Sequence, residues 1–324
     1  MKRFYEKKSF MIVVVLLIVF LVTAVYQINS GTTENTPPRH VSMIVYGDDT
    51  ERWENMYEGA YLVCKDHNAE LSLLTTMSEN DVAEQEEIID REIEDGVDAL
   101  LIAPCDSSVI KQFVDQKKLK IPVVYIETVE SASFTDINIV VDDYKMGYAL
   151  GEEIVSNESD IVTVAIISNN TCRDSVMLRE KGLRDAIEGK VGKIIDWSRS
   201  ETAVNADTRT FIQREIVSEA TDVIVVFDNS TTDALLDALS NLNKTSKVYS
   251  ISTSNKAVYN LYNKEIKALE YPDEFSMGFL AAINALDRQY AIKKYYNKKI
   301  EYRMVKKENM YDEENQKLVF PFVD

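Results

Sequence analysis

Histidine is nearly absent: His40 and His67 are the only two in 324 residues. A Ser-His-Asp triad or a multi-histidine metal centre has almost nothing to draw on, so hydrolase and metalloenzyme readings start weak. Cysteine is scarce too. Cys64, Cys105 and Cys172 are too few and too widely spaced for a disulfide scaffold or a zinc ribbon. The favoured reading is three semi-buried thiols; the alternative is that Cys105 and Cys172, each following an apolar run that reads as a strand, face one cleft as a regulatory pair, although an odd count argues against an obligatory bridge. Glycine and proline are low, at 10 and 6, against 45% hydrophobic residues, which excludes a collagen-like or disordered chain. Positive charge is in deficit: 36 Lys+Arg face 54 Asp+Glu, a net charge of −18. Such a chain repels phosphate backbones, so nucleic acid is not an expected partner. No metal and no cofactor is expected.

One long apolar run is present. Phe10 to Tyr26 carries no charge and follows Lys2, Arg3, Lys7 and Lys8. At about 1.5 Å per residue it reaches about 26 Å, just short of a hydrocarbon core of about 30 Å. The basic flank keeps the N-terminus (residues 1–9) cytoplasmic and sends the rest outside, so the expected product is a single-pass membrane protein with an extracytoplasmic body. Val22-Thr23-Ala24 has the small-residue spacing of a cleavage site, which leaves a cleaved, secreted form open, but the run exceeds the usual signal h-region and a retained anchor at 10–26 is the favoured reading. No cysteine lies in or just after it to carry a lipid. Residues 27–40, with the small, polar, Pro-containing stretch SGTTENTPPR, suit a tether. Beyond residue 30 the chain is more acidic still, with 32 Lys+Arg against 53 Asp+Glu.

From Val41 short β-branched runs alternate with longer amphipathic stretches, the pattern of βα units around parallel sheets. Strands are expected at 41–46, 71–75, 99–103, 122–126, 137–141, 161–167, 193–197, 223–227, 247–251 and 266–269, and strand-like segments at 301–306 and 318–322. Helices are expected between them, among them 82–95 stopped by Gly96, 108–118, 176–188 and 274–290. That is too much sheet for one doubly wound domain, so two α/β lobes are inferred, dividing near Val141. In such sheets ligands sit beyond the carboxyl ends of the strands. The turns there, at Tyr46–Asp49, Ala103–Asp106, Glu127–Thr128, Ser168–Thr171, Asp228–Asn229 and Ser252–Thr253, are rich in carboxylates, amides and hydroxyls. Any one of these residues is an ordinary helix cap; together they suit a small polar ligand, with Tyr46 or Trp53 offering an apolar face.

Four ordered segments resemble the type I periplasmic binding proteins, the ribose-binding-like branch that shares its fold with LacI-type effector domains. They are Glu94-Asp95-Gly96-Val97-Asp98-Ala99-Leu100-Leu101-Ile102-Ala103-Pro104-Cys105-Asp106, Ile121-Pro122-Val123-Val124, Val141-Asp142-Asp143-Tyr144-Lys145-Met146-Gly147 and Arg179-Glu180-Lys181-Gly182-Leu183. The resemblance implies two Rossmann-like lobes joined by a three-strand hinge and closing over a ligand: lobe one at 41–141 plus 271–299, lobe two at 142–270 plus 300–324. It also implies that Asp49, Arg52 and Trp53 line the cleft, Trp53 stacking on a sugar ring unless it belongs to the core face of its helix. Glu127, Arg179 and Asn229 match the family's ligand-binding positions. Ser252 and Glu270 stand where the family has Asp and the hinge Gln, and the family's "D-N" pair is Asp142-Asp143. A pocket holding Glu127, Asp228 and Glu270 near one arginine would favour a polyol or an amine-bearing ligand.

The function this implies is an extracytoplasmic solute-binding protein that presents a sugar-like ligand to an ABC permease. The alternative is a membrane-anchored sensor that reports occupancy to a histidine kinase, which a retained anchor without a lipid-attachment cysteine favours. Paired carboxylates would in principle serve glycoside hydrolysis, but no hydrolase motif is present and no enzymatic activity is expected. A transcription factor is excluded because an anchor and tether occupy the place of a helix-turn-helix. The Lys-rich stretch from Lys293 to Lys307 reads as a solvated face.

Overall fold

The computed structural model describes residues 18–21, 23, 37–130, 137–158, 161–198, 207–295 and 299–320. Most of the expected membrane segment lies outside them; Ile18–Leu21 and Thr23 are helical. Among the described residues no helix is long and apolar enough to cross a membrane.

Residues 39–324 form one compact unit containing two sheets. In chain order the first holds β1 (Arg39–Val45), β2 (Ala69–Thr75), β3 (Ala99–Ile102), β4 (Val123–Ile126) and β5 (Ile137–Ile139), arranged β2-β1-β3-β4-β5. All its pairings are parallel, with Ile44 opposite both Leu74 and Ile102. Helices α1 (Glu54–Asp66), α2 (Val82–Glu94) and α3 (Ser107–Lys117) make the crossovers. The chain then enters the second sheet through α4 (Asp143–Asn157), β6 (Thr163–Ser168), α5 (Asp174–Ile187), β7 (Lys193–Ser198), α6 (Thr208–Ser218), β8 (Val223–Val226), α7 (Asn229–Leu242), β9 (Lys247–Ile251), α8 (Asn255–Tyr262) and β10 (Ile266–Pro272). It returns to the first sheet as α9 (Glu274–Leu286) and α10 (Arg288–Tyr295), then crosses back as β11 (Tyr302–Val305) and α11 (Glu313–Val319). The second sheet runs β11-β10-β9-β8-β6-β7, parallel except for β11.

The central strands explain why these segments are strands: every residue of Ala-Leu-Leu-Ile in β3 and Val-Ile-Val-Val in β8 is buried. A strand covered on both faces reads as an unbroken apolar run. Asp81, Asp106, Asp207, Asp228 and Ser254 begin helices by accepting backbone N–H groups with their side chains. Gly96, at φ +82°, supplies the left-handed turn that leads from α2 to β3.

Each lobe contains one very tight helix crossing made by a reciprocal glycine pair. A Cβ on Gly278 of α9 would lie 1.8 Å from Met56 O of α1, and one on Gly59 of α1 would lie 2.0 Å from Phe275 O of α9. In the other lobe a Cβ on Gly147 of α4 would lie 1.8 Å from Arg179 O of α5, and one on Gly182 of α5 would lie 2.0 Å from Tyr144 O of α4.

Two expectations are corrected. Of the strand expected at 318–322, Leu318 and Val319 are the end of α11, whose first turn carries Glu313 and Glu314 in favourable alignment with the helix dipole, Phe320 is its C-cap, and 321–322 lie outside the described residues. The single helix expected at 274–290 breaks at Asp287, whose carboxylate accepts the Tyr290 N–H and so starts α10.

Candidate functional site

Both sheets have the same order, with the first strand between the second and third, so each has a switch point: between β1 and β3 in one lobe, between β6 and β8 in the other. There the crossovers leave in opposite directions and expose the loops beyond the strand ends. The loops from the two lobes meet in one seam. Around it stand Tyr46, Arg52, Glu79, Glu127, Arg173, Arg179, Asp228 and Asn229, and the space they leave is about 20 Å³, on the order of one water.

Three guanidinium groups organise the seam. Arg179, on α5, donates from Nε to Asp143 Oδ1 at 2.7 Å, from Nη1 to Phe227 O at 2.9 Å, and from Nη2 across the seam to Glu127 Oε1 at 3.5 Å. Asp143 begins α4, so the Gly147–Gly182 crossing is what brings this carboxylate within reach of Arg179. Arg173 is 1% exposed and donates to Glu79 Oε2 at 3.3 Å across the seam, with its guanidinium 4.1 Å from the centre of the Tyr46 ring. Arg52 pairs with Glu274 at 2.5 Å and covers the Trp53 ring. Burial pushes the carboxyls of Glu79 and Glu274 above the usual range, and raises Asp143 to about 6 despite its arginine.

Glu127 itself has an uncommon backbone. Its φ is +64°, and Thr128 N–H donates to Ile126 O at 2.7 Å across it, a γ-turn of the rarer positive-φ kind. Such a conformation costs about 1 kcal/mol or more for a side chain with a Cβ, and here it points a buried carboxylate into the seam. Glu127 Oε2 and the Arg173 Nε and Nη1 groups are buried with no hydrogen-bond partner among the described residues. One acceptor and two donors on residues that line the cavity are thus unsatisfied, the signature of a site that a polar ligand completes.

Of the residues expected from sequence, Arg52, Glu127, Arg179 and Asn229 surround the cavity. Asn229 is held by Ser252, whose hydroxyl donates to its Oδ1 at 3.0 Å, so Ser252 acts through Asn229. Asp49 caps the turn before α1 and lines an adjoining groove of about 460 Å³ with Arg52, Asp233, Thr253, Tyr271 and Glu274. Two of the expected residues stand outside the cavity, Trp53 by taking the core-face alternative and Glu270 against expectation. Trp53 has 0% exposure: it packs edge-on to Tyr46, donates to Tyr46 O at 3.2 Å and lies behind Arg52, so its ring belongs to the core rather than the cleft wall. Glu270 lies on the central hinge strand, but strand alternation turns Tyr271, not Glu270, toward the groove.

Glu270 is buried at 1% exposure, its Oε2 is unpartnered among the described residues, and burial with the nearby Glu153 carboxylate raises its pKa to about 8. The folded chain therefore holds a proton that the unfolded chain releases near its ordinary pKa. Stability falls as pH climbs through that window toward about 8, by on the order of a few kcal/mol. Glu270→Gln should abolish much of this slope, leaving the protein more stable than wild type at alkaline pH and little changed at acidic pH. Parallel denaturant melts across the range would refute it if the two slopes coincide.

Glu79, Arg173, Asp143 and Glu274 had no role in the expected site. Arg173 lies just after the flagged Ser168–Thr171 turn, and Asp143 within a quoted segment. Glu79 follows β2, which is not a switch-point strand, and nothing local marks it. Another groove, about 550 Å³, runs along the first and third crossings past Ile139, Val141, Leu280 and Ile300. Its carboxylates are already paired, Asp142 with Lys145 and Asp143 with Arg179, and it lies away from the switch points, so the seam is the better site.

Two parallel α/β lobes, joined by three crossings and meeting at their switch points over unsatisfied polar groups, define a clamshell of the solute-binding class. The chain belongs to the periplasmic binding protein domain family, whose model matches residues 41–293. No curated protein matches it in sequence. Among solved structures, a carbohydrate transporter solute-binding protein from Agrobacterium radiobacter in complex with D-arabinose is 18% identical, with TM-score 0.78 over 88% of this chain and 100% of that one. An ABC transporter solute-binding protein from Agrobacterium vitis with bound D-fucose is 17% identical, with TM-score 0.77 over 87% and 100%. The XylFII–LytSN complex is 17% identical, with TM-score 0.71 over 84% and 98%. At these identities the likeness is one of fold.

Proposed function

We propose that this chain is an extracytoplasmic solute-binding protein that closes on a small, polyhydroxylated, sugar-like ligand and presents it to an ABC-type importer, held at the membrane by its N-terminal segment. The observation that carries the reading is the unsatisfied trio in the seam, Glu127 Oε2 with Arg173 Nε and Nη1. A sugar hydroxyl both donates and accepts, so one class of group satisfies all three. Charge points the same way. Arg52, Arg173 and Arg179 face five carboxyls, Glu79, Glu127, Asp143, Asp228 and Glu274, which disfavours an anionic solute and favours a neutral polyol or an amine-bearing sugar. The cavity of about 20 Å³ is too small for a sugar, so binding requires the lobes to part and the Glu79–Arg173 pair to yield. The solved proteins with D-arabinose and D-fucose support the ligand class.

A second reading keeps the clamshell and changes its audience: a membrane-held sensor whose closed form is read by a partner protein. The fold match to XylFII in complex with LytSN favours it, as does an anchor with no cysteine for a lipid.

The test is a melting screen of the full chain in detergent, followed by its tryptophan fluorescence, against D-arabinose, D-fucose, other neutral sugars, amino sugars, uronic acids and amino acids. A bound sugar at about 100 times its Kd adds roughly 2.7 kcal/mol, a rise of several degrees. Glu127→Gln should then weaken binding by about tenfold or more, since hydrogen bonds to charged groups contribute about 1.5–3 kcal/mol. A uronic acid as the sole ligand would overturn the charge argument, and unchanged affinity in Glu127→Gln would remove Glu127 from the site.

A further inference from the structure

We propose that Cys105 and Cys172 are a reversible oxidation site, forming a disulfide between the lobes that holds the clamshell shut. Cys105 lies in the loop after β3 in the first lobe, and Cys172 in the loop between β6 and α5 in the second. The Cys172 thiol donates to the carbonyl oxygen of Cys105 at 3.2 Å. The backbones around it are clamped together: Ser107 N–H donates to Cys172 O at 3.1 Å, and Asp174 N–H donates to Ser107 Oγ at 3.0 Å. Two cysteines thus meet on opposite sides of a seam that separates when the lobes open. Cys64, buried on α1, has no part in this contact.

The two thiols are unequal in a way that orders the chemistry. Cys172 is half-buried and reachable; Cys105 is fully buried. Burial and the neighbouring Cys172 push the Cys105 thiol up to about 12, and burial raises Cys172 as well, so neither reacts quickly at rest. The oxidant required is a small disulfide or a disulfide-bearing oxidoreductase, present outside the cytoplasm. The Cys172 thiolate attacks one sulfur of that disulfide, breaking its S–S bond, forming a mixed disulfide and releasing one oxidant thiol. Cys105 then loses its proton and attacks the Cys172 sulfur, releasing the second oxidant thiol. Two protein thiols are oxidised and one disulfide is reduced to two thiols.

The bond would form in the closed state, whose cavity of about 20 Å³ admits no sugar. Oxidation therefore closes the cleft to solute, and reduction reopens it. This depends on the lobes closing and not on which solute enters, so failure of the ligand screen would leave it standing.

The full chain in detergent, treated with oxidised glutathione at mildly alkaline pH, is alkylated and digested without reductant, and its peptides are weighed. The Cys105 and Cys172 peptides should appear joined and lighter by two hydrogens, separating on addition of dithiothreitol, with Cys64 alkylated after denaturation. Hydrogen exchange of the Ser107, Asp174 and Ser175 amides, which bond across the seam, should slow by about tenfold or more on oxidation. Cys172→Ser should lose the link and the slowing; if that variant fails to fold, Cys105→Ala serves instead. Full alkylation of both cysteines, a stable glutathione adduct on Cys172, or a link that leaves seam exchange unchanged would each overturn the proposal.

Discussion

Gly147→Ala is expected to destabilise the protein by roughly 3 kcal/mol or more, seen as a fall of roughly 5–10 °C in melting temperature. The added Cβ would sit 1.8 Å from the carbonyl oxygen of Arg179 and 2.6 Å from its carbonyl carbon. Both are backbone atoms of a packed helix, so no side chain can swing aside and α4 must move off α5. That movement also lengthens the 2.7 Å bond between Asp143 on α4 and Arg179 on α5, so the variant should bind solute poorly even where it remains folded. Gly96→Ala is the control. It has φ +82° but open space around a Cβ, so its cost is confined to the strain of a side chain in the left-handed region, about 1–2 kcal/mol. Equal melting temperatures for the two variants would show that the helix crossing is not rigid.

Arg179→Met should be nearly as damaging and should remove binding outright. Arg179 is 5% exposed and is the hub for Asp143, Glu127 and the Phe227 carbonyl. Methionine fills the space but leaves two buried carboxylates without their cation, a loss of about 3–5 kcal/mol for a broken buried pair. The pH dependence identifies the cause. Asp143 already sits at about 6 with its arginine present, and without it burial alone would raise it further. The variant's folded state then avoids the penalty by keeping Asp143 protonated, at a cost that grows as pH rises above the unfolded carboxyl's pKa. The gap between wild type and Arg179→Met should therefore be small under acidic conditions and widen toward neutral and alkaline pH, and adding Asp143→Asn should narrow it. A gap constant with pH would mean that Arg179 matters through packing alone.

These expectations show which parts of the site were legible. Glu127 and Asn229 lie in strand-end turns that the alternating pattern marks, and it was the resemblance to the family that implied these two and Arg179 as ligand positions. Gly147 and Gly182 lie in segments that carry that resemblance, and their reciprocal contact with the Arg179 and Tyr144 carbonyls gives the spacing there a steric reason. Trp53 was ambiguous, since a residue at the start of a helix can face either the cleft or the core. Arg52 folding over the ring sends it inward. Glu79 was invisible: its partners Asn170, Arg173 and Ser230 are 91 to 151 positions away, on the other side of the seam.

Local sequence determined the α/β alternation, the strand positions and the apolar character of β3 and β8, because burial on one or two faces leaves a periodic imprint that any short window displays. It also determined that the chain is acidic and that its candidate groups cluster at strand ends. Only the tertiary structure decided which of those groups share a space, which carboxylate each arginine takes, and that Glu127 adopts a left-handed turn. Ion pairing and desolvation depend on distances between residues far apart in the chain, and these are set by two helix crossings and by closure of the lobes.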